Sequence, residues 1–296
     1  MHFQILPTTR CNARCFYCYE LNQTYEDMSE STINDMVSLI ENTATTSDED
    51  IRIDWFGGEP LLVVNTIESV SSELKKRLPD KQIIQTIVTN GSLITETICD
   101  KLKKIGISNI QITLDGKDKC YDERKNYYNR NNRFETVIEN IELCNSFGFN
   151  VIIRINVDKK NHENCAELID YLNQRFKNSV RVYVAPLYGT GIDYLDKKDV
   201  YQVLKQLKSK IQYPQKPRNN QWGMCLNKQN NNIFIKPNGD IIRCEHMFAN
   251  TDAVIGNVRS GIKKVENNIC IGCDYYKICK YGCICLSSCE GCWRSN

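Results

Sequence analysis

The sequence lacks the features of an exported or membrane protein. Its first residues, MHFQILPTTRC, contain no basic segment followed by a long apolar run, which argues against a secretory signal peptide. No stretch approaches the roughly 18 consecutive apolar residues that a membrane-spanning helix requires. These absences predict a soluble cytoplasmic protein.

The sequence also lacks an excess of charge of either sign. The 38 basic and 36 acidic residues leave a net charge of +2, and the basic residues are spread along the chain. Binding to nucleic acid or to an anionic membrane surface normally requires a concentrated basic region. Composition therefore argues against both classes of partner.

Histidine is scarce, whereas cysteine is abundant. The chain has three histidines, none at zinc-finger spacing from a pair of cysteines, and 16 cysteines in 296 residues. A reducing cytoplasm disfavours structural disulfides, so clustered cysteines indicate metal binding. Ligand sets rich in thiolate select iron–sulfur clusters or zinc. Three cysteines lie at 11–18 and nine lie between 225 and 292.

The first 210 residues alternate strand-like and helix-like patterns. Amphipathic helices are predicted near 31–41, with Ser29 or Ser31 as the N-cap, and near 199–211. The predicted strands are rich in Ile and Val, as expected for parallel strands covered on both faces. They cover residues 2–6, 51–56, 83–89, 107–114, 150–157 and 180–187. Six strand–helix units predict an α/β fold with parallel strands, as an open sheet or a partly closed barrel.

The composition changes at residues 211–223, IQYPQKPRNNQWG, which indicates a linker. A hairpin is predicted within residues 232–244, turning at Asn238-Gly239. From Cys270 onward the chain contains seven cysteines and few aliphatic residues. Such a segment cannot build its own hydrophobic core, so bound metal is expected to organise it.

The N-terminal cysteines form the sequence CNARCFYC, with Cys11, Cys15 and Cys18 directly after the first strand. A [4Fe–4S] cluster normally has four thiolate ligands, so three leave one iron open for another molecule. The loop follows the carboxyl end of a strand, where α/β folds place active sites. A zinc site with its fourth ligand elsewhere in the chain is the alternative.

CNARCFYC resembles the signature of the radical S-adenosylmethionine (SAM) enzymes, and further motifs of that family follow in order. GGEP (57–60) ends the second strand, TNG (89–91) the third, and ITLDG (112–116) and YDERK (121–125) the fourth. The resemblance implies a partial (β/α)6 barrel in residues 1–210. Thr113 departs from the Ser common in relatives but retains the hydroxyl.

The resemblance also implies which residues bind SAM. The family uses its GGEP motif on the SAM amino group, and its LDG and following segment on the ribose and carboxylate. Tyr17, in the cysteine loop, is expected to pack against the adenine. The expected SAM contacts are Tyr17, Gly57, Gly58, Glu59, Pro60, Thr89, Asn90, Thr113, Asp115, Arg124, Lys125, Arg154, Asn156 and Leu187.

The C-terminal cysteines resemble the pattern of the SPASM extension, which carries two auxiliary [4Fe–4S] clusters in peptide-modifying radical SAM enzymes. The extension would cover residues 224–296. The resemblance assigns Cys225, Cys244 and Cys283 to the first auxiliary cluster. It assigns Cys270, Cys273, Cys279 and one late cysteine to the second. Two structural zinc sites are the alternative reading of these cysteines.

The late ligand of the second auxiliary cluster is Cys285, Cys289 or Cys292. One residue alone separates Cys285 from Cys283, which makes Cys285 an awkward ligand for a different cluster, so Cys292 is favoured and Cys289 is next. The first auxiliary cluster takes a remaining cysteine or keeps an open iron that binds a substrate thiol.

Glu245 follows Cys244 directly and is the candidate catalytic base. In sulfatase-maturating relatives an Asp at the matching position accepts a proton during substrate oxidation; a solvated surface carboxylate is the alternative. The remaining Cys99, Cys120, Cys144 and Cys165 are interpreted as small buried hydrophobes or inert thiols.

The resemblance implies a maturase with three [4Fe–4S] clusters and SAM that acts on a ribosomally made peptide or protein. The expected reaction is hydrogen abstraction leading to a thioether or carbon–carbon crosslink; the alternatives are formylglycine formation and epimerisation. An electron donor such as flavodoxin or ferredoxin is the expected partner. The barrel begins at residue 1, so leader recognition is expected to use the barrel, the SPASM face or a separate leader-binding protein. A non-catalytic iron–sulfur electron-transfer or scaffold protein is the rival class.

Overall fold

The computed structural model describes residues 1–18, 20, 24–187, 197–212, 232–242, 248 and 254–262. Strands and α-helices alternate through the first 210 residues. The first six strands are β1 (His2–Ile5), β2 (Ile51–Trp55), β3 (Ile83–Thr89), β4 (Ile107–Leu114), β5 (Asn150–Val157) and β6 (Val180–Pro186). The helices are α1 (Glu30–Thr45), α2 (Val64–Arg77), α3 (Glu96–Lys104), α4 (Asp118–Lys125), α5 (Phe134–Ser146), α6 (His162–Phe176) and α7 (Lys197–Lys210).

The six predicted strands and the two predicted helices are confirmed. Helix α1 begins after Ser29, whose hydroxyl accepts a hydrogen bond from the amide of Thr32 at 3.2 Å, so Ser29 rather than Ser31 is the N-cap. A short 3-10 turn, Pro60–Val63, leads into α2.

The strands β1 to β6 lie side by side in chain order, and each adjacent pair is parallel. Parallel crossovers are right-handed in nearly all proteins, so a strictly sequential order places the connecting helices on one face of the sheet. This order is that of a (β/α)6 barrel rather than of a sheet wound in both directions.

The two faces of this sheet therefore differ. One face packs against the helices and presents buried apolar side chains that include Ile53, Trp55, Ile110, Ile112, Ile153 and Ile155. The opposite face carries half-buried and mainly polar side chains that include Asp54, Gln111, Thr113, Arg154 and Tyr183. The expectation of strands with two apolar faces is thus wrong, because the helices cover one side alone.

The predicted hairpin is also present. Strands β7 (Asn232–Ile235) and β8 (Asp240–Ile242) pair in antiparallel fashion, and Gly239 has the positive φ of +85° that this turn requires. β7 pairs in parallel with β1, and β9 (Val254–Asn257) and β10 (Gly261–Ile262) continue the sheet beyond β8. These four strands extend the sheet of the N-terminal part at its β1 edge.

None of the described helices combines the length and the apolar character that a bilayer crossing demands.

Candidate functional site

The cysteine loop follows β1 and is tied down on both sides. The hydroxyl of Thr8 donates to Asp27 at 2.5 Å, and Arg10 donates to both oxygens of the same carboxylate at 2.8 and 2.6 Å. The amide of Thr9 donates to the carbonyl of Glu26 at 2.9 Å. The segment that precedes the cysteine loop is thus hydrogen-bonded to the segment that follows it.

GGEP lies against the entrance of this loop. The amide of Gly58 donates to the Thr8 carbonyl at 3.1 Å, and that of Glu59 donates to the Arg10 carbonyl at 2.8 Å. A Cβ on Gly58 would lie 2.2 Å from the Arg10 carbonyl oxygen, and one on Gly57 would lie 2.4 Å from that of Thr8. Only glycines permit this close approach of two backbones.

The Glu59 carboxylate points into the protein, where it is fully buried. It accepts hydrogen bonds from the Thr89 hydroxyl at 2.7 Å, the Asn90 amide at 2.8 Å and the Leu61 amide at 3.1 Å. Burial raises the pKa of Glu59, and these hydrogen bonds oppose the rise. Glu59 therefore fixes the end of β3 to the end of β2.

Asn12 connects the cysteine loop to the same turn after β3. The side-chain oxygen of Asn12 accepts a hydrogen bond from the side-chain amide of Asn90 at 2.7 Å, and its side-chain nitrogen donates to the Ser92 hydroxyl at 2.8 Å. The Asn90 carbonyl accepts from the hydroxyls of Tyr121 and Tyr127 at 3.4 and 3.3 Å. GGEP, TNG and the cysteine loop thus form one hydrogen-bonded unit at the carboxyl ends of β1 to β3.

A buried ion pair lies beneath the cysteine loop. Lys125 Nζ is 2.8 Å from Asp115 Oδ2, and Tyr17 donates its hydroxyl hydrogen to the same oxygen while accepting from Lys125 at 3.1 Å. Burial and the charge of Asp115 raise the pKa of Tyr17 well above its ordinary value, so the phenol stays protonated. Burial alone would lower the pKa of Lys125, but Asp115 raises it well above its usual range.

The side chain of Arg124, the residue before Lys125, pairs with a different carboxylate. Its Nη2 lies 2.7 Å from Asp158 Oδ2, and its guanidinium stacks on the ring of Phe16 at 4.9 Å. Among the described residues, Arg124 Nε and Asp115 Oδ1 are buried polar atoms without a hydrogen-bond partner. Two such atoms beside one loop indicate a polar group that the protein alone does not supply.

The remaining predicted SAM contacts lie at the far side of the sheet. Thr113 and Arg154 face each other across β4 and β5, and Arg154 Nε donates to Asn156 at 2.9 Å. Leu187 follows β6, where its amide donates to the Val157 carbonyl at 2.9 Å. All four belong to the carboxyl-terminal halves of β4 to β6 or follow them.

The three cysteines lie close together in one loop. The amide of Cys18 donates to the carbonyl of Cys15 at 3.0 Å, and the Ala13 amide donates to Cys11 Sγ at 3.4 Å. Burial, with the charge of Glu59, raises the pKa of Cys11 to about 12, and burial raises that of Cys15. None of the seven described cysteines forms a disulfide.

Within the described part of the chain, no three His, Cys, Asp or Glu side chains converge tightly enough to hold one metal ion. A [4Fe–4S] cluster places each cysteine on a different iron, so its ligands surround a larger group rather than meet at a point. One loop with three half-exposed thiols, glycines at its entrance and two unsatisfied polar atoms beneath it fits a cluster and a polar ligand.

Part of the predicted site lies outside the described residues. This applies to the candidate base Glu245 and to Cys225, Cys244, Cys270, Cys273, Cys279, Cys283, Cys285, Cys289 and Cys292. Of the other cysteines, Cys99, Cys144 and Cys165 are buried, as predicted, and Cys120 is half-buried.

Sequence reasoning missed three contributors to the site. Asn12 and Tyr121 lie within the quoted motifs CNARCFYC and YDERK, but neither they nor Asp158 were predicted as site residues. Each makes a side-chain hydrogen bond to a motif residue or to its backbone. The position of Asn12 between two candidate ligands was the available signal. Asp158 follows β5 at its carboxyl end, the place where functional side chains concentrate in such folds.

Comparison with known proteins identifies the family. Residues 5–172 match the family model described as the Radical SAM superfamily, which is more than half of the chain. Members of this superfamily bind a [4Fe–4S] cluster and SAM.

Curated relatives match part of the chain. An uncharacterized protein of Methanocaldococcus jannaschii is 30% identical over 58% of this chain and 58% of its own length. The Fe-coproporphyrin III synthase of Methanosarcina barkeri is 27% identical over 62% of this chain and 44% of that protein. The radical SAM cyclopropyl synthase TigE of Paramaledivibacter caminithermalis is 34% identical over 35% of this chain and 25% of that protein. The chain thus spans less than two thirds of the length of each of these relatives.

Solved structures share the fold. anSMEcpe with bound AdoMet and Cp18Cys peptide has a TM-score of 0.73 at 16% identity, covering 95% of this chain and 88% of that chain. SuiB of Streptococcus suis bound to precursor peptide SuiA has a TM-score of 0.67 at 19% identity, covering 95% of this chain and 71% of that chain. At these identities the similarity shows the fold alone.

Proposed function

The chain belongs to the radical SAM superfamily and is an enzyme, and from that premise we propose that it matures a ribosomally made peptide or protein. The rival interpretation as a non-catalytic iron–sulfur protein is therefore wrong. The proposed reaction abstracts a hydrogen atom from one residue of the substrate and leads to a thioether or carbon–carbon crosslink.

Cys11, Cys15 and Cys18 would hold the catalytic cluster, and the vacant fourth position would take SAM. When bound, this pair supplies a 5′-deoxyadenosyl radical that abstracts hydrogen from an unactivated carbon. The observation that carries the assignment is the unsatisfied Asp115 Oδ1, buried beside the cysteine loop in a cluster with Lys125 and Tyr17.

The residues of the chain have distinct proposed tasks around that group. Gly57 and Gly58 keep the GGEP backbone against the loop entrance, and Glu59 and Asn12 hold TNG in register with it. Asp115 Oδ1 would accept a hydrogen bond from a bound hydroxyl or amine. Because Asp115 is fully buried, that contact would form away from water, where hydrogen bonds are stronger.

A peptide substrate is supported by relatives of two kinds. TigE is a cyclopropyl synthase, and the solved structures that share the fold include one with a Cp18Cys peptide and one with the precursor peptide SuiA. The C-terminal cysteines at SPASM spacing support the same class, since that extension would hold two auxiliary clusters. Formylglycine formation and epimerisation are the alternatives within it.

A small-molecule substrate is the second candidate. The Fe-coproporphyrin III synthase matches a larger share of this chain than TigE does, 62% against 35%. Co-expression with short open reading frames from the neighbouring genes, followed by mass spectrometry, separates the two. A loss of two mass units from a peptide supports crosslinking or oxidation, and mass-neutral deuterium incorporation supports epimerisation. Unmodified peptides together with turnover of a porphyrin would reject the maturase proposal.

The cofactor proposal has its own experiment. Anaerobic reconstitution is expected to give about twelve irons per chain, as three four-iron clusters require. Dithionite and SAM should then release 5′-deoxyadenosine. Glu245→Gln should retain that release but form no peptide product; normal product formation would remove Glu245 from the mechanism.

A further inference from the structure

The turn between β5 and α6 contacts the two residues of the site whose buried polar atoms lack a partner. These atoms are Arg124 Nε, a hydrogen-bond donor, and Asp115 Oδ1, an acceptor, and neither has a partner among the described residues. Arg124 lies on α4 and Asp115 follows β4, so two different segments supply the two atoms. Residues 158–161 of the turn are hydrogen-bonded to both segments.

Asp158 holds the guanidinium of Arg124. Its Oδ2 accepts from Arg124 Nη2 at 2.7 Å, and its Oδ1 accepts from Nη1 at 3.4 Å. The Asp158 carboxylate is itself fixed, because Oδ1 also accepts from the amides of Lys160 and Asn161 at 2.8 and 3.2 Å. A guanidinium is planar, so a partner on both terminal nitrogens also sets the direction of the Nε–H.

Asn161 holds the backbone of Asp115. Its Nδ2 donates to the carbonyls of Asp115 and Asn156, each at 2.7 Å, and its Oδ1 accepts from the Asp158 amide at 2.7 Å. Asn161 is the N-cap residue of α6, where an Asn side chain normally accepts from the first amides of the helix. Its side chain instead joins the ends of β4 and β5. Departures of this kind from a local rule are expected at functional sites.

We infer that Asp158 and Asn161 are positioning residues of the SAM site, which hold Arg124 Nε and Asp115 Oδ1 as a donor and an acceptor for one ligand. SAM carries amine, hydroxyl and carboxylate groups and can therefore satisfy both atoms. The inference rests on the proposed placement of the cluster and SAM at the cysteine loop, and it does not depend on which substrate is modified. Each positioning residue acts through the residue that it holds.

The charges around Arg124 explain why it requires a fixed partner. Burial would lower the pKa of Arg124, but the hydrogen bond and charge of Asp158, with the charge of Asp115, raise it. Asp115 thus competes with Asp158 for the same guanidinium. Without the charge of Asp158, we expect Arg124 to turn towards Asp115 and to occupy the acceptor that the ligand would use.

The test measures the Kd for radiolabelled SAM by equilibrium dialysis of the reconstituted full chain, without a reductant, so that no SAM is cleaved. Asp158→Asn should raise this Kd by about tenfold or more, as the loss of an orienting outer partner does at metal sites. Asp158→Glu keeps the buried charge but moves the carboxylate by one methylene. It should load iron as the wild type does and also bind SAM more weakly, so it tests the inference even if Asp158→Asn does not fold.

A double-mutant cycle shows whether Asp158 acts through Arg124. Arg124→Gln should also weaken SAM binding. Arg124→Gln/Asp158→Asn should bind no more weakly than Arg124→Gln alone, because the side chain that Asp158 positions is already gone. Additive effects of the two substitutions would contradict the inference, as would wild-type affinity in Asp158→Asn and Asp158→Glu.

Two controls separate positioning from a general loss of stability. Asp170→Asn makes the same chemical change in a pair with Lys210, where the Asp170 side chain is 51% exposed, and should leave the Kd unchanged. Gln85→Leu removes buried hydrogen bonds between the sheet and α2 and should also leave it unchanged. A Kd raised as much in Gln85→Leu as in Asp158→Asn would overturn the inference. If fully loaded wild type binds no SAM, the proposed placement of SAM fails and this inference fails with it.

Discussion

Lys125 and Asp115 form an ion pair of 2.8 Å in which the two side chains are 3% and 0% exposed. Removing two charges from water is costly, and their attraction offsets that cost only when both partners are present. The backbone of Lys125 accepts a hydrogen bond from the Arg14 amide at 3.0 Å, so the pair is joined to the cysteine loop. A change in the Lys125–Asp115 pair would therefore also affect the position of the cysteine loop.

Replacing Lys125 with methionine should destabilise the protein strongly. The change leaves Asp115 buried and uncompensated, and breaking a buried pair in this way costs about 3–5 kcal/mol. The double variant Asp115→Asn/Lys125→Met should be less destabilised than the single one. Anaerobic chemical denaturation of the full chain measures both. Lys119→Met, at a side chain that is 87% exposed, is the control. A Lys125→Met variant as stable as this control would contradict the prediction.

Gln85 of β3 should contribute strongly to the stability of the core between the sheet and α2. Its side chain accepts from Trp55 Nε1 at 2.9 Å and from the Ser71 hydroxyl at 2.8 Å, and donates to the Ile105 carbonyl at 3.0 Å. Gln85→Leu leaves three buried polar groups without this partner, and each such group costs about 1–3 kcal/mol. The unfolding free energy should fall by about 3 kcal/mol or more. Gln174→Leu, at an exposed position of α6, should leave it nearly unchanged.

The sequence predicted the strands closely because each is a short run rich in Ile and Val, residues that favour strands. β4 and β5 have the bounds expected from ISNIQITL and NVIIRINV. The same runs were expected to be covered on both faces, although Gln111, Thr113 and Arg154 lie on the face away from the helices. The alternation of polar and apolar residues along β4 and β5 indicated that one face of the sheet is polar.

The candidate site was predictable as a set of motifs but not as a set of contacts. Sequence order placed GGEP and TNG after β2 and β3, where they meet the cysteine loop. It could not reveal that Glu59 points inward to Thr89, or that Arg124 pairs with Asp158 while Lys125 pairs with Asp115. Side-chain direction depends on packing between segments that are distant in sequence.

Gly58→Ala should reduce cluster retention without a large backbone strain of its own. The added Cβ would lie 2.2 Å from the Arg10 carbonyl oxygen, one residue before Cys11, so the loop entrance must move. Iron and sulfide per chain after anaerobic reconstitution should fall below the wild-type values. Ser72→Ala, at an exposed position of α2, is the control, because it adds no atom against another segment. Equal iron contents in the two variants would show that the close approach is not required.

The Arg10–Asp27 pair should make the stability of the loop dependent on pH in the acidic range. Burial would raise the pKa of Asp27, but hydrogen bonds from Arg10 and Thr8 outweigh it and lower the pKa. An acid with a lowered pKa contributes stability above its unfolded value of about 3.9, and loses it as the pH falls through the folded value. The difference in melting temperature between wild type and Asp27→Asn should therefore be constant from pH 7 to 5 and shrink below pH 4. Asp80→Asn, in the exposed turn after α2, should show no such change.

Glu59→Gln tests which of two opposing effects dominates in the buried centre of the site. The substitution removes a buried charge, which favours the variant. In the wild type, the backbone amides of Leu61 and Asn90 both donate to the Glu59 carboxylate. In the variant, the side-chain NH2 group of the new glutamine would face one of these donors. Hydrogen bonds to a charged acceptor are about twice as strong as neutral ones. We therefore expect the variant to lose about 1–3 kcal/mol of unfolding free energy at neutral pH.

The pH dependence of this loss has a definite sign. Burial raises the pKa of Glu59 in the folded protein, so the wild type loses stability as the pH rises from the unfolded value of about 4.3 through the folded one. Gln does not titrate, so the deficit of Glu59→Gln should be larger at pH 5 than at pH 8. Glu139→Gln, at an exposed position of α5, should give no deficit at either pH. A Glu59→Gln variant more stable than wild type would mean that desolvation of the carboxylate outweighs its three hydrogen bonds, and that the link between the ends of β2 and β3 is retained at the expense of stability.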